Sequence, residues 1–287
     1  MIDDIFIKFD GAFAKNTIRA YRSDFIQYQT WCLENGLAAI PATADTMSMY
    51  VDYLSGNNKS ATIRRRINSL GTILKLSKHH DPTKQPEVIL AIKRMHRKIG
   101  RAQQQATPLT KPLLNQLISN CDNSVRGVRN KVLLRLGYET MRRRSELCAF
   151  KFEDICQAPN GKPAIRLNFS KTDQFGTGKI LPISLELFDL LEKWRAIIGD
   201  EGYILRSISR HGHFGDNLHP ASISTLLKAL QKDLRIVSNQ QPLSGHSFRV
   251  GAALDLLEQG EAIEKIMIRG GWQTDSTAIK YLRNWSI

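Results

Sequence analysis

Along the first hundred residues, apolar positions recur only with a helical period. Tyr21, Phe25, Tyr28 and Cys32 fall three or four apart with Trp31 beside them, which predicts a helix from Asn16-Thr17 to about Asn35, ended by Gly36. Thr43 or Asp45 opens a second helix through Met47, Tyr50, Val51 and Leu54, stopped at Gly56-Asn57-Asn58. Ser60 or Thr62 opens a third, with Ile63, Ile67, Leu70, Leu74 and Leu76 on its inner side, and a fourth follows Pro86, from Val88 to Ile99. From Gly100 to Leu109 a run of Gln and a Pro carry no apolar period, the pattern of a linker. Thr110-Lys111-Pro112 then starts another helix, with Pro early in its first turn, and Arg129 to Tyr138 is a further apolar helix. Between Pro163 and Ile183 the period shortens to two. Ala164–Phe169 and Lys179–Ile183 read as short strands around the turn Asp173–Gly178. Helices resume at Leu185. The pattern predicts a mainly α chain with a small β-hairpin, divided into a helical domain at 1–102, a linker at 103–109 and a second domain at 110–287.

Charge narrows the partner. The 287 residues carry a formal net charge of +14, which points to a polyanion, either nucleic acid or an acidic membrane surface. The excess is no tail, since residues 1–103 and the remainder each carry +7. In the first domain, Arg64-Arg65-Arg66 and Lys93-Arg94-Met95-His96-Arg97-Lys98 form two basic helix ends, and Arg19 and Arg22 add to them. We read Arg19, Arg22, Arg64, Arg65, Arg66, Lys93, Arg94, Arg97 and Lys98 as sequence-blind phosphate contacts. The N-terminus shows no signal-peptide pattern and no apolar run reaches transmembrane length, so the membrane alternative rests on charge alone. Cys32, Cys121, Cys148 and Cys156 have no paired spacing and read as reduced, buried or half-buried thiols of a cytoplasmic protein.

The candidate chemistry lies near the end of the chain. Tyr281 is preceded by Trp272 in Arg269-Gly270-Gly271-Trp272, and farther back by His246 and Arg249 spaced H-x-x-R. Upstream stand Arg142-Arg143-Arg144-Ser145-Glu146 and, after Ser170 in the hairpin turn, Lys171. A phenol of ordinary pKa about 10 is a weak nucleophile. To attack phosphorus it needs cations on the non-bridging oxygens, a group to take its proton, and an acid for the leaving oxygen. These residues supply all three. On charge alone, any of the three consecutive arginines can serve as a phosphate clamp. His211-Gly212-His213 and His219 sit in a Gly/Asp/Asn loop without a cysteine or carboxylate at zinc spacing, and no Gly-rich phosphate loop occurs. The expected chemistry needs neither metal nor cofactor, nor a small-molecule substrate.

The set Arg143…Lys171…His246-x-x-Arg249…Trp272…Tyr281 resembles the signature of the tyrosine recombinases, the phage-integrase family. Ser244-Gly245-His246-Ser247-Phe248-Arg249, with Gly270-Gly271-Trp272 and Tyr281-Leu282-Arg283-Asn284, is most similar to its Cre branch, in which a tryptophan takes the place of a second histidine. The resemblance implies a four-helix core-binding (SAM-like) domain followed by a catalytic domain. It also implies double-stranded DNA with a specific site as substrate and a homotetramer assembled on it, active at the nucleoid. Its pattern places the first arginine three residues before a glutamate, which selects Arg143 and gives Glu146 a buttressing role. Arg142 departs from that pattern, since a small or apolar residue usually precedes the catalytic arginine. Tyr281 is then the nucleophile and Arg143 and Arg249 the phosphate clamp. Lys171 is the leaving-group acid, with Lys179 and then Lys162 as rivals. His246 assists deprotonation or bonds an oxygen, and Trp272 packs and donates one hydrogen bond. A type IB topoisomerase and a catalytically silent DNA-binding factor are the competing readings. Relatives extend further beyond the nucleophile. Here Leu282 to Ile287 make about one and a half turns, and Leu282, Trp285 and Ile287 are expected to make a weak contact that leaves the DNA-free protein monomeric.

Overall fold

In the computed structural model, which describes residues 2–102, 105–170, 176–234 and 241–282, the chain forms two compact units, 1–104 and 105–287. The first contains α1 (Ile2–Lys8), α2 (Lys15–Glu34), α3 (Ala44–Leu54), α4 (Ser60–Leu76) and α5 (Pro86–Ile99). The four helices read from the sequence are α2 to α5; α1 escaped that reading because one or two turns are too short to display a period. Of the two candidate starts for α3, Thr43 is the cap, its Oγ1 accepting from Thr46 N at 3.1 Å. Phe25, Tyr28, Trp31, Tyr50, Val51, Ile63, Ile67 and Leu70 fill the core, with Tyr50 set 5.0 Å from the rings of both Tyr28 and Trp31.

The basic helix ends of this unit divide into exposed and committed cations. Arg19, Arg22, Arg64, Arg65, Lys93, Arg94, Arg97 and Lys98 are exposed. Arg66 is not: it is half-buried, with Nε 3.8 Å from the buried Asp24 carboxylate. Arg65 grips the same carboxylate with both terminal nitrogens, Nη2 at 2.9 Å. The exposed Arg94 pairs with Asp52 at 3.3 Å, and Arg22 lies over the Phe6 ring. Burial, and then the charges of Arg101 and Arg64, holds His96 below the usual histidine range. Arg64 at the start of α4 and Arg101 after α5 thus both act on His96 near the end of α5.

The second unit opens with α6 (Lys111–Asn120), α7 (Val125–Thr140) and α8 (Arg144–Leu147). An antiparallel sheet follows, β1 (Ile155–Gln157), β2 (Pro163–Leu167) and β3 (Lys179–Pro182), in that order, with Ile165 opposite both Ile155 and Leu181. The two strands read from alternation are β2 and β3; β1 has three residues and shows none. Helices α9 (Leu185–Ile198), α10 (Pro220–Asp233), α11 (Ser247–Glu258), α12 (Ile263–Gly270) and α13 (Asp275–Leu282) complete it. His219 caps α10 through Nδ1, accepting from Ala221 N, so this member of the histidine loop is a capping residue. Cys32, Cys121 and Cys148 are buried, Cys156 half-buried, and all four are free thiols. Among the described residues no helix is long and apolar enough to cross a membrane.

Residues 105–109, read as linker, belong to the second unit and lie against α11. Thr107 Oγ1 donates to Gln241 O at 2.6 Å, Leu109 N to Ser247 O at 3.0 Å, and Lys111 N to Asp255 Oδ2 at 2.7 Å. The Leu109 backbone comes so near α11 that a Cβ at Gly251 would overlap its carbonyl. The strap looks polar in sequence because its bonds are made by the backbone and by small polar groups. Gly251→Ala is expected to lower stability by about 1–3 kcal/mol, the cost of overpacking, seen as a lower melting temperature. Unchanged melting would mean that the strap yields.

Candidate active site

Helix α7 ends at Thr140, and Met141 follows in a left-handed conformation, φ 53°. That turn releases the last carbonyls of α7 from the helix and starts Arg142-Arg143-Arg144 on a new course. The three arginines then part. Arg143 precedes α8 and is clamped by Glu146, whose Oε1 accepts from Arg143 Nη1 at 2.8 Å and whose Oε2 accepts from the Arg143 backbone N–H at 3.0 Å. Glu146 is 5% exposed, so this pair is no surface i,i+3 bridge. Arg144 reaches sideways to Ser224 Oγ on α10, 3.2 Å. Arg142 turns inward and is 2% exposed.

Arg249 projects from the first turn of α11 and is 1% exposed. Its Nη1 donates to Met141 O at 2.5 Å, while Nε and Nη2 are buried without a hydrogen-bond partner. The guanidinium lies 4.9 Å from the centroid of the Trp272 ring and 5.7 Å from that of Tyr281, and those two rings are 4.8 Å apart. Burial lowers the Arg249 pKa, and the neighbouring Tyr281 phenol opposes the shift. Trp272 is 6% exposed and its Nε1–H is likewise buried without a partner. Unpaired donors of this kind are costly in a closed core. Donors of this kind can bind the oxygens of an anion. Gly271, at φ 66°, makes the left-handed turn between α12 and Trp272.

Tyr281 sits in the last turn of α13, and Gln105 Nε2 in the strap donates to its carbonyl at 2.6 Å. Met141, Val250, Ala253, Leu254, Ile266, Trp272, Ala278 and Leu282 form a small apolar core beneath it. His246, at the start of α11, is exposed. Partial desolvation lowers its pKa, and so do the charges of Arg249, Arg144 and Arg143. Both effects favour the neutral imidazole, the form able to accept a proton.

Arg143, Glu146, His246, Arg249, Trp272 and Tyr281 thus come together. Lys171 lies outside the described residues, as do Trp285 and Ile287. The rival Lys179 is committed elsewhere: its ammonium donates to Ile268 O near the end of α12, and burial and then Arg142 lower its pKa. Lys162 is exposed in the turn between β1 and β2.

Two residues escaped the sequence reading. Gln105 was hidden in the polar run. Arg142 registered only as a departure from pattern, which was itself the signal. Its Nε donates to Thr140 O at 2.7 Å and its Nη2 to Arg269 O, and its pKa falls to about 10 through burial and then repulsion from Arg249. A buried guanidinium costs several kcal/mol. Hydrogen bonds to a charged group return about 1.5–3 kcal/mol each, and both acceptors lie at helix C-termini, whose dipoles favour a cation.

The model of the phage integrase family matches residues 107–286 of this chain. The chain belongs to that family. Recombinase cre of Escherichia phage P1 is 26% identical over 292 residues, covering 95% of this chain and 85% of the relative. An integrase/recombinase XerD homolog of Selenomonas ruminantium is 27% identical over 287 residues, covering 96% and 83%. In structure, residues 75–356 of lambda integrase, crystallised as a dimer bound to a COC′ core site, match with a TM-score of 0.68 at 17% identity, covering 96% of this chain and 92% of that one. Similarity at that identity is one of fold, and the mainly helical second unit with its three-stranded sheet has the catalytic fold of the family.

Proposed function

We propose that this protein is a site-specific DNA recombinase in which Tyr281 attacks a scissile phosphate, giving a 3′-phosphotyrosine and a free 5′ hydroxyl. The observation that carries the reading is the placement of the Tyr281 ring over Arg249 and against Trp272, beside unpartnered buried donors of both. As negative charge grows on the non-bridging oxygens, Arg249 and Arg143 bind them in the planar geometry of guanidinium. Glu146 holds Arg143 for that task, and Trp272 Nε1–H, which can only donate, bonds an oxygen. Neutral His246 takes the phenol proton or bonds an oxygen. Lys171, on the β2–β3 connection, protonates the leaving 5′ oxygen, since Lys179 is held by Ile268 O. The phosphotyrosyl bond stores the energy for rejoining, and a 5′ hydroxyl from a partner duplex reverses the step.

The first unit serves as a core-binding domain on the phosphates, through the exposed cations of α2, α4 and α5. A tetramer on two sites exchanges strands through a Holliday junction; lambda integrase has been crystallised as a tetramer bound to such a junction. The protein works in the cytoplasm, at the nucleoid. A sequence-blind nicking enzyme with the same chemistry would relax any plasmid. Incubation with fragmented genomic DNA, denaturation, and sequencing of the protein-linked 3′ ends tests the proposal: adducts at a recurring site support it, while adducts everywhere or nowhere overturn it.

Two further results are expected. Binding should weaken steeply with salt, by about a thousandfold or more between 50 and 200 mM if six to ten phosphates are neutralised; a flat response in a filter-binding titration contradicts two phosphate-binding units. Cleavage should be insensitive to pH around neutrality and fall only on acidification below the ordinary histidine range, about 6.5. The sign follows from the lowered His246 pKa, which preserves the neutral base to lower pH. Single-turnover rates across pH measure this, and His246→Gln should flatten the acid limb.

A further inference from the structure

We infer that Arg142 is a positioning residue of the cleavage reaction, a guanidinium cross-tie that holds the turn carrying Arg143 against the turn carrying Trp272. Three successive carbonyls at the end of α7 each accept from an arginine. Glu139 O takes Arg269 Nε at 3.3 Å and Nη2 at 3.2 Å, Thr140 O takes Arg142 Nε at 2.7 Å, and Met141 O takes Arg249 Nη1 at 2.5 Å. The end of α12 is tied in the same manner, Ile268 O to Lys179 and Arg269 O to Arg142. Arg142 alone among these cations bonds a carbonyl at each helix end.

The bond at Arg269 O lies three residues before Trp272 and that at Thr140 O three residues before Arg143. Gly271 leaves room for the guanidinium, since a Cβ there would stand 2.9 Å from Arg142 Nη1. Side chains of α7 and α12 that merely packed together would allow sliding. A planar fork bonded to two carbonyls sets both distance and direction, which a lysine ammonium, a point charge on a flexible stem, does not. Arg249 keeps Nε and Nη2 without a partner, whereas Arg142 has both of those nitrogens bonded to carbonyls, so its donors are spent on the tie and not held for a phosphate. Its effect on DNA is indirect, through the geometry of Trp272, Arg249 and Arg143, and a displacement of about 1 Å at such groups costs on the order of a hundredfold in rate.

The inference rests on the recombinase reading, and the experiment separates the two. Single-turnover adduct formation is measured at saturating DNA for the wild type, Arg142→Met, which keeps the length without the fork, and Arg142→Lys, which keeps the charge. Melting curves and DNA affinity are measured in parallel. Expected is a rate loss on the order of a hundredfold for Arg142→Met and a smaller loss for Arg142→Lys, with DNA affinity nearly unchanged. The loss should be equally large on a substrate with sulfur in place of the 5′ leaving oxygen, because the tie acts on the phosphate and the nucleophile. Added guanidinium ion should restore part of the rate to Arg142→Ala, by occupying the vacated site between the two carbonyls. If Arg142→Met does not fold, Arg142→Lys decides, by its rate at a temperature where it is fully folded. Wild-type rates in the folded variants, even with lowered melting temperatures, overturn the inference while leaving the recombinase reading intact. Absence of adducts from the wild type on its own DNA overturns both.

Discussion

Tyr281→Phe is expected to abolish covalent protein–DNA adducts while leaving DNA affinity nearly unchanged. The substitution removes one oxygen and keeps the ring, so the packing against Trp272 at 4.8 Å and the contact with Arg249 at 5.7 Å survive. What is lost is the atom that bonds to phosphorus, and no arrangement of cations replaces it. Denaturing gels of end-labelled DNA read the adduct directly. Binding by the Phe variant controls for folding. A persistent adduct would move the nucleophile to another tyrosine. Tyr138 is a poor substitute, because its hydroxyl donates to Asp255 at 2.5 Å and burial, with that carboxylate, raises its pKa.

Lys171→Ala should slow cleavage of ordinary DNA by about a hundred- to ten-thousandfold, the range contributed by a positioned general acid. On a substrate whose 5′ bridging oxygen is sulfur, most of that loss should vanish, since a thiolate leaves without a proton. The committed bond from Lys179 to Ile268 O makes a specific companion result expected. Lys179→Ala should slow both substrates alike, because it loosens the end of α12 and protonates nothing. Equal defects from Lys171→Ala on the two substrates, with sulfur rescue of Lys179→Ala, would exchange the two assignments.

Much of the fold was legible because it is locally encoded. Helices α2 to α5 carry their apolar residues at helical spacing, and their boundaries are marked by Gly36, Thr43 and Pro86, residues whose backbone chemistry acts over a few positions. The hairpin strands β2 and β3 show alternation over four or five residues, enough to be seen, while β1 with three does not. The site residues were legible for a different reason. H-x-x-R opens α11, Trp272 lies in the short connection between α12 and α13, and Tyr281 lies on α13, so their order in sequence limits their distances in space.

By itself, the sequence determined the helical first unit, the hairpin and the kinds of side chain that meet at Tyr281, because periodicity, caps and reactive groups are properties of short segments. Only the tertiary structure decided which basic residues are free and which are spent. Arg142, Arg143 and Arg144 are chemically identical neighbours, yet one is buried between two helix ends, one is held by Glu146 and one reaches to Ser224. Arg65 and Arg66 likewise turn to Asp24, which lies on α2 while they lie on α4. The polar run before α6 became a strap because α11 presents Gly251 where the Leu109 backbone needs room. A charged side chain extends several ångströms in any of many rotamers. Its fate depends on which carbonyl or carboxylate the fold brings within hydrogen-bonding distance, and those partners come from segments that local pattern cannot relate.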